Sequence, residues 1–180
     1  MVGSIYWNII FDRSCTYRWQ KSNLHAVVVD VFGFSQYHYA RNVGSWLFIS
    51  DVKSNYNIVA AVIVSTGLFT FAHGGAFEAG ILPMLNVITM SLFVTAVLEY
   101  TDSLIAPIMI HFLWNGIGAI VLGGVSLAED YPHLFNMVIS GNPILSGGRC
   151  KIEGSIIVLL MNLILMIGFV MVKRKRNRNL

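Results

Sequence analysis

Residues 58–76 read Ile58-Val-Ala-Ala-Val-Ile-Val-Ser-Thr-Gly-Leu-Phe-Thr-Phe-Ala-His73-Gly-Gly-Ala76, with no charged side chain and a single histidine near the end. A run this apolar is nearly long enough to cross a hydrocarbon core of about 30 Å as a helix. In lipid it must be helical, because no water is there to satisfy exposed backbone groups. Three further runs of the same kind follow, near 81–98, 104–122 and 155–172. Between Asn57 and Leu98 the one charged residue is Glu78. The pattern predicts an all-α membrane protein, a bundle of about four transmembrane helices. Short links containing Gly74, Gly75 and Gly80, and then Glu99–Ser103, make the first three antiparallel neighbours. A longer polar loop, Ala128–Gly154, precedes the fourth.

Composition agrees. Of the 180 residues, 56% are hydrophobic and 12% charged, and the mean hydropathy is +0.67. A water-facing surface usually needs about 25% charged residues. The net charge of +3 implies no nucleic-acid partner, since no basic face is interleaved with aromatics. Five cations instead crowd the tail, Lys173, Arg174, Lys175, Arg176 and Arg178, as on the cytoplasmic flank of a membrane helix. Residues 1–56 hold Arg13, Arg18, Lys21, Arg41 and Lys53, whereas the 128–154 loop holds Arg149 and Lys151. With an even number of crossings, this distribution predicts a multi-pass protein of the cell membrane with both termini cytoplasmic and that loop external. Cys15 and Cys150 form neither a disulfide framework nor a metal motif, and the N-terminus lacks the three parts of a signal peptide.

The first residues read differently. They are rich in aromatics (Tyr6, Trp7, Phe11, Tyr17, Trp19) and contain no sustained apolar run; Asp30 interrupts the short stretch His25–Phe34. We divide the chain into a divergent leader, 1–40, with a poorly defined fold, and a transmembrane domain, 41–180.

Ionisable residues inside membrane helices are expensive and default to a functional hypothesis. His73 ends the first apolar run, and His111 lies inside the third, four residues before Asn115. That spacing puts His111 and Asn115 on one helix face. The first and third helices run in the same direction, so all three side chains could share a cavity. Imidazole near neutrality donates, accepts or binds metal. An Asn amide with a His N–H can stabilise an oxyanion, at about 3 kcal/mol per donor in a dry site. The plainer reading is interhelical hydrogen bonding. Pro107 either kinks its helix or opens its backbone at a cavity. Met84, Met90 and Met109 read as packing or lipid-facing residues, and Asn162 as a packing contact. At about 1.5 Å per residue, His73 lies about 24 Å along its run and His111 about 11 Å along its own. The two meet only if the first helix enters late or tilts.

The motifs resemble a known family. Phe69-Thr-Phe-Ala-His73 fits F-x-x-x-H, and His111-Phe-Leu-Trp-Asn115 fits H-x-x-x-N. Glu99-Tyr-Thr-Asp-Ser-Leu-Ile-Ala-Pro107 resembles the family's approach to the second histidine. Leu145-Ser-Gly-Gly-Arg-Cys-Lys-Ile-Glu-Gly-Ser155 resembles a Gly-rich loop before the last helix. From about Arg41 to Val172 the chain is similar to the CPBP family, the CAAX prenyl proteases and bacteriocin-processing (Abi) proteins. The resemblance implies a glutamate-dependent intramembrane endopeptidase with its site open to the cytoplasm, acting on a peptide or prenylated protein. By carry-over, His73 would position the attacking water, and His111 with Asn115 would bind the oxyanion. No cofactor is established by the motifs; a divalent metal such as zinc, if present, would sit on His73 and His111.

One motif departs. If Arg41 is the arginine of the family's E-E-x-x-x-R, the two glutamates fall at Gln36 and Tyr37, and no adjacent glutamate pair occurs anywhere. The chain therefore reads as the C-terminal portion of such an enzyme behind an unrelated leader, inactive for want of a base. Asp51, Glu78, Glu99 and Asp102 are poorly placed to replace one. The alternatives are a non-enzymatic membrane protein, such as a bacteriocin immunity or peptide-binding factor, and a small transporter using the histidines as a proton path.

Overall fold

A computed structural model describes residues 6–12, 15–21, 49, 51–125 and 133–179, the first two segments through their backbone. After a short helical stretch at 51–55 come α1 (Ile58–Ala72), a brief α2 (Gly75–Ala79), α3 (Ile81–Thr101) and α4 (Ile105–Asn115). A π-helical turn, Gly116–Val121, extends α4. Then follow strand β3 (Phe135–Gly141), a short α5 (Pro143–Ser146), a 3₁₀ segment Gly148–Gly154 and the long α6 (Ile156–Arg178).

The sequence sets these boundaries locally. Asn57 caps α1 by accepting from the Ala60 N–H at 2.8 Å, and Ser155 caps α6 by accepting from the Ile157 N–H at 3.1 Å, each satisfying an orphan donor of the first turn. Asp102 closes α3 in the left-handed region, its N–H bonded to the Leu98 carbonyl.

Helix α3 is the axis of the bundle. Phe69 and Ala76 from the α1–α2 side pack with Val87, Met90, Phe93, Val94 and Val97 of α3. Ser91 of α3 donates to Thr66 of α1 at 3.4 Å, and Ala61 meets Leu98, so α1 and α3 are antiparallel. Asn86 meets Asn162, Glu99 meets Lys173 and Asp102 meets Arg176, so α3 and α6 are parallel. Most of α6 presents its apolar side chains outward, Ile157, Leu160, Ile164, Ile167 and Met171 among them, whereas α3 is mostly buried.

The four apolar runs of the sequence are all helical, but two of them, α3 and the α6 region, are long and apolar enough to cross a membrane. At about 1.5 Å per residue, the 15 residues of α1 cover about 22 Å. The first helix stops at Ala72, short of the expected Ala76, because His73 leaves helical geometry (φ −101°, ψ 53°).

Outside the helices, β1 (Tyr6–Asp12), β2 (Cys15–Lys21) and β3 form an antiparallel sheet in that order, so the 128–154 loop is not wholly irregular. Cys15 pairs with Gly141 and Lys21 with Phe135. Residues 15–21 lie beside the loop that the cation count sets on the other side of the bilayer. Arg13, Arg18 and Lys21 stand more than the roughly 15–20 residues from a span over which that rule counts, so they should carry little weight.

Candidate active site

The site lies where α1 ends, α4 runs into its π turn and α6 begins. His73 has left the helix, but its ring folds back along α1, so that Nδ1 lies 2.8 Å from the Phe69 carbonyl. A carbonyl only accepts; Nδ1 therefore donates, and in the neutral ring Nε2 keeps its lone pair. This backward reach brings together two histidines that a count along the helices separates. The His73 and His111 ring centroids are 5.7 Å apart. Phe69 fills the angle between them, 4.4 Å from His73 and edge-on to His111 at 5.2 Å. Both imidazoles are buried, at 7% and 2% exposure.

Asn115, one turn beyond His111, lines the same cavity as both histidines. Its Nδ2 is buried with no hydrogen-bond partner among the described residues. Leaving such a donor unmade costs about 1–3 kcal/mol, which suits a group kept for a ligand or water. Directly after it the ladder slips into π geometry, with the Leu122 N–H reaching back to Ile117. Single π turns often mark functional sites. Pro107 is buried in α4, and Met90 also lines the cavity, whereas Met109 is exposed.

The cavity is small, about 30 Å³, and its apolar lining is Phe69, Val87, Met90, Trp114 and Val158. Three of its polar residues were not singled out as site residues from the sequence. Asn162, expected to be a packing contact, is buried and lies 3.4 Å from the Asn86 carbonyl and from Thr89 Oγ1. Asn86 donates to the backbone carbonyls of Glu153 and Ser155 at 2.7 and 2.9 Å. Glu153 itself, 8% exposed, lines the cavity. Asn86 could have been found as a polar residue inside an apolar run. Glu153 lies in the Gly-rich loop 145–155 that the motif reading quotes, but nothing in the spacing ties it to residues some forty to eighty positions earlier.

A catalytic zinc takes three protein ligands. Among the described residues, no three His, Cys, Asp or Glu side chains gather to hold a metal ion, so the donor set does not fit one. The remaining motif positions, Gln36, Tyr37 and Arg41, lie outside the described residues, as does His25–Phe34.

Residues 46–117 match the family model described as Type II CAAX prenyl endopeptidase Rce1-like. This is the family the motifs point to, over a shorter stretch than the motif reading covers. It includes His73, His111 and Asn115 and stops before Glu153. No curated protein and no solved structure matches the chain.

Proposed function

We propose that the chain is a multi-pass membrane endopeptidase of the CAAX-protease kind, hydrolysing a peptide bond in a peptide or prenylated protein presented at the bilayer. The observation that carries this reading is the buried pair of imidazoles, 5.7 Å apart, sharing a water-sized cavity with the Asn115 amide.

The chemistry follows from which atoms are left to act. His73, fixed by its Nδ1–H bond to Phe69, offers Nε2 as an acceptor and orients water. Asn115 Nδ2 and a ring N–H of His111 are the donors for the oxygen that gains charge as the carbonyl carbon is attacked. Removing one such donor typically costs 10²–10³-fold in kcat. Apolar side chains from Phe69 to Val158 line much of the cavity, and a low local dielectric strengthens interactions of this kind. The non-enzymatic alternative draws on the lack of an adjacent glutamate pair, whereas the family match favours the hydrolytic one.

The test is direct. The chain should remain in membranes after alkaline carbonate extraction and, purified, should cleave members of a panel of prenylated and unprenylated peptides. Asn115→Ala should lower kcat about 10²-fold with little change in KM, and His111→Ala should lower it at least as far. A folded wild-type chain that cleaves nothing in the panel would falsify the proposal.

A further inference from the structure

We propose that the crevice between the end of α3 and α6 binds a single anionic phospholipid, an inference that rests on the membrane reading above. The crevice is about 330 Å³, lined by Tyr100 of α3 and by Ile164, Leu165, Gly168, Phe169 and Val172 of α6. That volume is within the range of sites that hold small molecules. Its walls are apolar and suit a hydrocarbon chain.

Two features set the crevice apart from the rest of the outward face of α6. The first is Gly168. A glycine inside a helix costs stability that alanine would not, and packing does not require one here: a Cβ at Gly168 would meet nothing within 4 Å. The missing side chain leaves an outward notch that no described residue fills. The second feature is Tyr100, the α3 wall. Its ring lies edge-on to Phe169, with centroids 5.4 Å apart, and under the Arg176 guanidinium at 5.2 Å. Tyrosine is apolar in body and polar at its tip, and it is enriched where hydrocarbon meets head groups.

Charge selects the head group. Of the five cations at the end of α6, Lys173 is paired with Glu99 and Arg176 with Asp102. Arg174, Lys175 and Arg178 are exposed and form no ion pair with a described residue. Ile164, Gly168, Val172 and Lys175 fall on one stripe of the helix, and Lys175 stands about 10 Å beyond the notch at about 1.5 Å per residue. Arg174 and Arg178 share the adjoining face. An apolar crevice leading to three uncompensated cations is the complement of a hydrocarbon tail with a negative head, and cation clusters at helix ends draw anionic lipid. The crevice is separate from the candidate active site. Val158 lines that cavity, and Gly168 lies about 15 Å further along α6.

The competing view is diffuse attraction of the basic tail to any anionic surface, and the variants separate the two. The full chain, purified in mild detergent, is titrated with phosphatidylglycerol or phosphatidylcholine, and retained lipid is counted by native mass spectrometry. Each free cation near an anionic surface is worth roughly fivefold in affinity. One phosphatidylglycerol should therefore be retained, at least about tenfold tighter than phosphatidylcholine. Replacing Arg174, Lys175 and Arg178 together by Gln should abolish that preference. Gly168→Leu keeps every charge but fills the notch, and should weaken phosphatidylglycerol retention about tenfold. Equal retention of the two lipids, or wild-type retention by Gly168→Leu, overturns the inference. So does displacement of the lipid by a prenylated peptide, which would make the crevice a substrate groove. If the triple variant fails to fold, Gly168→Leu decides, since leucine is favoured at an exposed helical position. A wild-type chain released from membranes by alkaline carbonate overturns the membrane reading and takes this inference with it.

Discussion

The two ends of α3 fasten the same neighbour, α6, by opposite means. At the Asn86 end the contacts are neutral and dry: Asn86 reaches the carbonyls of Glu153 and Ser155, and Asn162 reaches back to the Asn86 carbonyl and Thr89. At the Glu99 end they are ionic and wet. Glu99 accepts from Lys53 at 2.6 Å and from Lys173 at 2.9 Å, with Lys53 42% and Lys173 24% exposed and the Glu99 side chain 18%. The Lys173 ammonium also donates to the Glu99 backbone carbonyl. A buried amide adds little net energy while paired but is costly to strand. A water-reached ion pair is worth about 0–1 kcal/mol at either extreme. The site therefore sits at the end whose polar groups are uncompromising, and the other end holds register at low cost.

The largest effect should come from Asn86→Ala. It strands two buried carbonyls, each worth about 1–3 kcal/mol, and unpins the loop that carries Glu153. We expect a loss of about 2–4 kcal/mol in unfolding experiments, accompanied by a fall in kcat. A variant as stable as wild type would show that the loop is fixed by its own turns, and that the dry end is less demanding than the contrast implies.

At the wet end, Glu99→Gln should cost about 1 kcal/mol or less and leave kcat unchanged. The difference from wild type should shrink in 1 M salt, where the screening length is about 3 Å. Should kcat fall tenfold instead, the two ends would be coupled through α3, and the separation of fastening from chemistry would be lost.

How much of this was legible in the sequence differs between the same two regions. The helices were, since unbroken apolar runs between glycines leave the backbone little choice. His73, His111 and Asn115 were legible as candidates too, because polar residues stand out inside such runs. What a linear count could not supply was the way the His73 ring folds back on Phe69, which closes the gap that helix arithmetic leaves open. The loop that carries Glu153 stood out as a motif, but its place at the cavity was hidden for a related reason. It belongs to the cavity through a tight turn whose shape depends on Gly147 and Gly154, and turn geometry is not periodic. The sheet was missed because Tyr6–Asp12 and Cys15–Lys21, though aromatic and β-branched, are separated by Arg13-Ser14, which carries none of the usual hairpin signals.

The smallest effect is expected at Asp102, where charge and backbone can be told apart. Its carboxylate lies 3.1 Å from Arg176, with the two side chains 69% and 43% exposed. The guanidinium also rests over the Tyr100 ring, 5.2 Å from its centroid, so it has a second seat if the carboxylate is lost. Asp102→Asn removes the charge and keeps a residue that tolerates the left-handed conformation (φ 50°). Its effect on stability should be within about 0.5 kcal/mol. Asp102→Ala removes the same charge but puts a Cβ without a local hydrogen bond into that conformation, at a cost of about 1–2 kcal/mol. Asp102→Gly relieves the conformation altogether and should match Asn or exceed it. The expected order in melting temperature is therefore Gly and Asn near wild type, and Ala below, unchanged by salt. If Asn instead falls as far as Ala, and high salt erases the loss, the ion pair is what holds the end of α3. The wet end would then be fastened more firmly than its exposure suggests.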